Sequence, residues 1–73
     1  MRMKITIEYC GMWNYLPRAS SLETQLKQRR PDVQIKLIEG RGGVFEVSAA
    51  GKKIFSKKQT GRFPEVEEIL RQL

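Results

Sequence analysis

Two residues of this 73-residue chain stand where chemistry is expected. Cys10 is its sole cysteine, and Trp13, three positions on, is its sole tryptophan. Both lie in the stretch 7–15, where an alternating apolar segment gives way to a helical one. A thiol between a first strand and a first helix is placed to act as a redox nucleophile. The following helix N-terminus and a net cationic chain both favour its thiolate. A single cysteine forms no internal disulfide, so Cys10 is a buried filler, a free reactive thiol or half of an intermolecular bond. Trp13 is either an exposed stacking or docking residue or an ordinary half-buried aromatic, and Met12 beside it is equally open.

The missing residue types narrow the chemistry. With no histidine, Ser-His and Cys-His catalysis and imidazole metal sites are excluded. One cysteine and no histidine leave no zinc ligand set. The formal charge is +6 and the isoelectric point near 9.9, which favours anionic partners in general. Lys52, Lys53, Lys57, Lys58 and Arg62 cluster late in the chain. Only Phe55 is interleaved among them, so they read as a solvated surface rather than a nucleic-acid platform, and a small basic RNA-binding domain is the lesser alternative. Glu46 is expected to point to an open sheet face with no partner and no role.

With 40% hydrophobic residues and a mean hydropathy of −0.48, residues 1–73 read as one small globular domain. No stretch approaches the ~18 apolar residues of a membrane span. Charges among the first eight residues argue against a signal peptide, so the expected location is the cytoplasm, where thiols stay reduced.

The elements that must hold Cys10 and Trp13 follow from periodicity. Met1 to Tyr9 alternates with period two, predicting a strand with one face on a core. Residues 10–16 are a loop or frayed helix start, and Pro17 opens a helix running to Arg30, with Ala19, Leu22 and Leu26 as its stripe and Leu16 extending it. Val33, Ile35 and Leu37 mark a second strand, and 40–43 a glycine turn. A third strand is expected over 44–48 and a fourth over 54–57, joined by a hairpin at Ala49–Lys52. Residues 57–62 read as a basic loop and 63–73 as a second helix opened by Pro64. The order β-α-β-β-β-α predicts a right-handed crossover with the first two strands parallel. The expected fold is a two-layer α/β sandwich: a four-stranded mixed sheet with both helices on one face.

Five segments, in order and at matching spacing over essentially the whole chain, carry a family resemblance. They are Tyr9-Cys10-Gly11-Met12; Tyr15, Pro17 and Arg18; Gly42-Gly43 with Val44-Phe45-Glu46-Val47; Gly51-Lys52-Lys53-Ile54-Phe55-Ser56-Lys57-Lys58; and Gly61-Arg62-Phe63-Pro64. The sequence resembles the selenoprotein W family of small redox proteins, the Rdx group, which has a thioredoxin-like fold. The family motif is Cys-x-x-Cys or Cys-x-x-selenocysteine, which implies Cys10 and position 13 as the catalytic pair. Trp13 occupies the seat of the second centre and can neither attack nor resolve. Selenocysteine is encoded by UGA and tryptophan by UGG, one base away. Two readings therefore stay open: selenocysteine at position 13 in the native gene, or a member that has lost its second centre and serves as a redox-inactive docking module. The resemblance further implies antioxidant or glutathione-linked disulfide chemistry with no tightly bound cofactor, glutathione as thiol co-substrate, thiol/disulfide proteins as partners, and a monomer. Thioredoxins proper place a cis-proline before the third strand, against the active site; here Gly43 or its neighbours hold that position.

Overall fold

The computed structural model describes residues 3–73. Met1 and Arg2, which the alternation assigns to the first strand, lie outside the described residues.

Four strands form one sheet: β1 (Lys4–Cys10), β2 (Gln34–Gly40), β3 (Phe45–Ala49) and β4 (Lys52–Ser56), in the spatial order β2-β1-β3-β4. β1 pairs parallel with β2, β1 antiparallel with β3, and β3 antiparallel with β4. The helix α1 (Leu16–Arg29) makes the crossover between β1 and β2, and α3 (Val66–Leu70) closes the described chain. Leu22 and Leu26 of α1 and Ile69 of α3 share one core with Ile5, Ile7, Phe45 and Val47. Both helices thus cover the same sheet face, as expected. Burying each such large side chain contributes about 1.5–3 kcal/mol.

Several boundaries differ from the sequence reading. β1 runs on through Cys10, because the Cys10 N–H donates to the Val44 carbonyl (2.9 Å) and Cys10 pairs in register with Gly40. Cys10 is therefore a strand residue, and the loop begins after it. Leu16 opens α1 but does not extend its stripe; at the first helical position it stays 45% exposed.

The expected loop at 57–62 contains a one-turn helix, α2 (Lys57–Thr60). The cause is Ser56, whose hydroxyl accepts from the Gln59 N–H (3.3 Å) while Thr60 Oγ1 donates to its carbonyl (2.9 Å). Gly61, at φ 75°, then ends the turn. The last helix is shorter than 63–73. Phe63 and Pro64 precede an extended Glu65, whose N–H donates to the Glu68 carboxylate (3.2 Å).

Glu46 departs furthest from expectation. It is buried and fully engaged: Ser56 Oγ and the Lys57 N–H donate to one carboxylate oxygen (3.0 and 3.1 Å), and Lys53 Nζ pairs with the other at 3.1 Å. Burial pushes the carboxyl up. Hydrogen bonds from Ser56 and Lys53, the Lys53 charge and the Lys57 N–H outweigh this and leave it below its ordinary value. Glu46 thus fastens the end of β4 and the start of α2 to β3. The sequence reading missed this because the partners, Lys53, Ser56 and Lys57, are seven, ten and eleven residues away across a hairpin.

The β3–β4 hairpin turns on Ala50 and Gly51, both at positive φ (54° and 81°). Glycine tolerates that region, whereas alanine crowds its Cβ there. Replacing Ala50 by Asn, the residue this turn prefers, should stabilise the fold by about 0.5–1 kcal/mol, read as a higher urea midpoint with unchanged slope.

Arg62 clamps α3 by donating to both Glu68 oxygens (2.9 and 2.6 Å), which lowers that carboxyl from 4.5 to about 2. A depressed folded-state value contributes stability above the unfolded value, and this is lost as pH falls through the folded one. The thermal midpoint should therefore decline between about pH 4.5 and pH 2, and Glu68→Gln should flatten that decline without moving the midpoint's pH dependence above pH 6.

Candidate redox loop

The parallel pairing of β1 with β2 brings the end of β1 beside the turn after Gly40. Five residues, Gly11 to Tyr15, then carry the chain into α1. The loop is tied by Asn14 N–H to the Gly11 carbonyl (3.2 Å) and Tyr15 N–H to the Cys10 carbonyl (3.1 Å). Gly11 N–H also donates to the Gly40 carbonyl (3.3 Å), so the loop is anchored to β2.

Cys10 is buried, with no exposed surface. Strand alternation places it on the side of Thr6 and Glu8, opposite Ile5 and Ile7, and it is not a member of the helix-covered core. Cys10 was expected in the loop; the structure corrects this, because Cys10 is held in register between Gly40 and Val44 at the end of β1. Position 13 is the reverse case. Trp13 is 60% exposed and Met12 87% exposed, at the tip of the loop.

The indole of Trp13 lies directly against Gly43. A Cβ there would displace the Trp13 ring as it lies, and Gly43 sits at φ 73°, a backbone conformation that favours glycine. Gly43 precedes Val44, whose carbonyl holds the Cys10 N–H. Side chain 13 therefore hangs over the same short segment that secures Cys10. This is the segment where thioredoxins proper carry their proline, and here an indole covers it.

Two carboxylates border the loop. The Glu39 side chain packs over Gly11, and that of Glu8 over Gly40. On the other side a chain of edge-on rings leads inward: Trp13 to Tyr15 (centroids 6.1 Å apart), Tyr15 to Phe63 (4.8 Å) and Phe63 to Phe45 (5.2 Å). Arg18 stands over Phe63, and Lys57 over both Tyr15 and Phe63. Sequence reasoning placed Tyr15 and Arg18 near the loop but not Lys57 and Phe63, which arrive from distant segments. The one local sign was Phe63 just before Pro64, an aromatic ahead of a helix start.

The late basic cluster does not act as one patch. Lys53 pairs with Glu46 and Arg62 with Glu68, Lys57 turns to the aromatic rings, and Phe55 is buried. Among the described residues no His/Cys/Asp/Glu group is arranged to hold a metal ion, and no helix is long and apolar enough to cross a membrane.

The Rdx family profile matches residues 4–73. Selenoprotein W of Mus musculus is 32% identical over 76 residues, spanning 100% of this chain and 86% of its own length. Migration and invasion enhancer 1 of Bos taurus is 28% identical over 68 residues and 93% of this chain, but the chain spans only 59% of that relative's length. A solved selenoprotein W-related protein from Vibrio cholerae superimposes with a TM-score of 0.92 at 28% identity, over 99% of this chain and 92% of its own. The fold is thioredoxin-like, in agreement with that likeness.

The burial of Cys10 predicts its reactivity. Iodoacetamide at neutral pH should alkylate it at least about a hundredfold more slowly in the native protein than in urea, since reaction waits on local opening. Equal rates in the two states, followed by mass spectrometry, would contradict the burial.

Proposed function

This chain belongs to the Rdx family, and from that membership we propose that it is a thiol/selenol redox protein of selenoprotein W type, with position 13 as the attacking centre and Cys10 as the resolving one. The observation that carries the reading is the contrast in access. Side chain 13 is 60% exposed at the loop tip, while Cys10, three residues back, has no exposed surface. An attacking group must meet substrate from solvent, whereas a resolving group need only reach its neighbour. In this reading the natural residue 13 is selenocysteine, and Trp13 reflects its UGA codon rendered as UGG.

The cycle follows from exchange chemistry. A selenolate at position 13 attacks one sulfur of a substrate disulfide; a Se–S bond forms, the S–S bond breaks, and the first thiolate leaves. The Cys10 thiolate then attacks selenium and expels the second thiolate, leaving a Cys10–selenium bond. The substrate disulfide has become two thiols and the pair is oxidised by two electrons. With a peroxide, selenium takes one oxygen, an alcohol leaves, and the selenenic acid condenses with Cys10 and loses water. Two external thiols such as glutathione reset the pair and depart as their disulfide. The chain with Trp13 lacks the attacking centre, and a mixed disulfide on the buried Cys10 would form only through local opening and go no further. Reset by cellular thiols suits the reducing cytoplasm.

A second reading has one observation in its favour. Trp13 packs against Gly43 and edge-on to Tyr15, an arrangement suited to a true tryptophan that docks a partner. The natural codon separates the two: UGA supports selenocysteine, and UGG leaves a docking loop with a single thiol.

The geometry has its own test in Trp13→Cys. After excess oxidised glutathione, this variant should lose both free thiols, carry no glutathione and be lighter by two hydrogens. A stable glutathione adduct with no internal bond would show that position 13 and Cys10 do not form a redox pair.

A further inference from the structure

Two cations meet at the ring of Phe63. The Arg18 guanidinium carbon stands 4.5 Å from its centroid and Lys57 Nζ 5.4 Å, with Lys57 also 5.6 Å from the Tyr15 centroid. One comes from the first turn of α1, the other from the start of α2. Among the described residues neither joins an ion pair, as is also true of Lys4, Lys36, Arg41, Lys52, Lys58 and Arg71; what sets these two apart is their shared aromatic ring. Aromatic faces hold a cation in place without neutralising it, so both charges remain available to an incoming anion. Arg18 is exposed and Lys57 half-buried, and the Tyr15 ring beside Lys57 touches the ring of residue 13 edge-on. Arg18 also borders a groove with Ser21, Gln25 and Phe63, where the one lining carboxylate is Glu65 of the α3 N-terminus.

We infer that Arg18 and Lys57 determine substrate choice: they select disulfides that bear a carboxylate near the sulfur, holding the anion beside Tyr15 and Phe63 while the sulfur reaches position 13. The inference rests on the redox reading above and names the substrate class of that same loop. A carboxylate meeting the half-buried Lys57 is partly dehydrated, so attraction there exceeds what the same charges give in bulk water, and the exposed Arg18 adds its charge from the rim. A cationic disulfide is repelled there. The shared chemistry covers small peptide disulfides and acidic protein segments alike.

The test uses the full chain carrying Trp13→Cys and three small disulfides of similar size: dithiodipropionate (anionic), hydroxyethyl disulfide (neutral) and cystamine (cationic). The anionic probe should react about tenfold or more faster than the cationic one at low salt, and the ratio should shrink as salt rises. Arg18→Gln and Lys57→Met should each lower the ratio about threefold, and the double variant should bring it near that of a free thiol. Lys4→Gln with Lys52→Gln removes the same charge at the far end of the sheet, since β1 begins at Lys4 and Lys52 pairs with Ala49. That control should leave the ratio nearly intact. An equal fall in the control would assign the preference to overall charge and overturn the inference, as would a ratio unmoved by the Arg18 and Lys57 changes. If all three probes react at one rate, the redox pair stands and the inference alone falls. If none reacts, the redox reading fails and this inference with it. Among supporting results, an acidic peptide disulfide outpacing oxidised glutathione points to a protein segment, and the reverse to a small peptide.

Discussion

The constraint on which this structure depends is that β1 is paired on both sides, parallel to β2 and antiparallel to β3. A parallel pair ends at one edge of the sheet, so the loop after β1 and the glycine turn after β2 must emerge side by side. An antiparallel partner begins where β1 ends, so Val44 and Phe45 meet Cys10 and Tyr9 there. β4 returns to the same edge and delivers Ser56, Lys57 and then Phe63. Three stretches distant in sequence, 10–15, 40–45 and 56–63, thus converge at the carboxyl end of β1. Open α/β sheets generally place their ligand sites outside the carboxyl ends of their strands. The site here is a consequence of pairing before it is a matter of side chains.

Phe63 joins that edge to the core. It contacts Phe45 beneath the helices and Tyr15 at the loop, and Tyr15 in turn meets Trp13. Edge-on pairs of this kind add about 0.5–1.5 kcal/mol each beyond the area they bury. The Glu46 network does comparable work on the neighbouring corner, fixing β4 to α2 and so setting where Lys57 projects. A small domain has few means of making a loop rigid, and this one uses aromatic contacts on one flank and a buried carboxylate on the other.

Those two devices also mark the limit of what the sequence disclosed. Alternation in 3–9 and the stripe of Ala19, Leu22 and Leu26 were legible because each is periodic within one element, and the helix-covered core followed from them. The hairpin was legible from Gly51. Glu46 was misread because alternation says which side a residue faces, not what comes back across a hairpin to cover it. The helix at Lys57–Thr60 was missed because its cause, the Ser56 hydroxyl, is one capping bond inside a run of polar residues. Cys10 was expected in the loop because nothing local announces that Gly40 and Val44 extend the pairing by one residue. Its place at the junction of the first strand and the first helix was legible; its burial was a tertiary fact.

Gly43 looks at first as though it should decide what position 13 is, since a glycine there seats the indole. It does not decide it. The same glycine with a smaller side chain at 13 leaves an open stretch of backbone at 43–44, next to the residue that holds Cys10. In the proposed cycle, bare backbone there would let an extended substrate lie close to position 13. Glycine therefore suits a docking tryptophan and a working selenol equally well. The asymmetry between the exposed Trp13 and the buried Cys10 bears on the two readings more directly. The proposed two-centre cycle would use that order, one outward group and one inward group, whereas in a loop that only docks Cys10 would be a small buried hydrophobe.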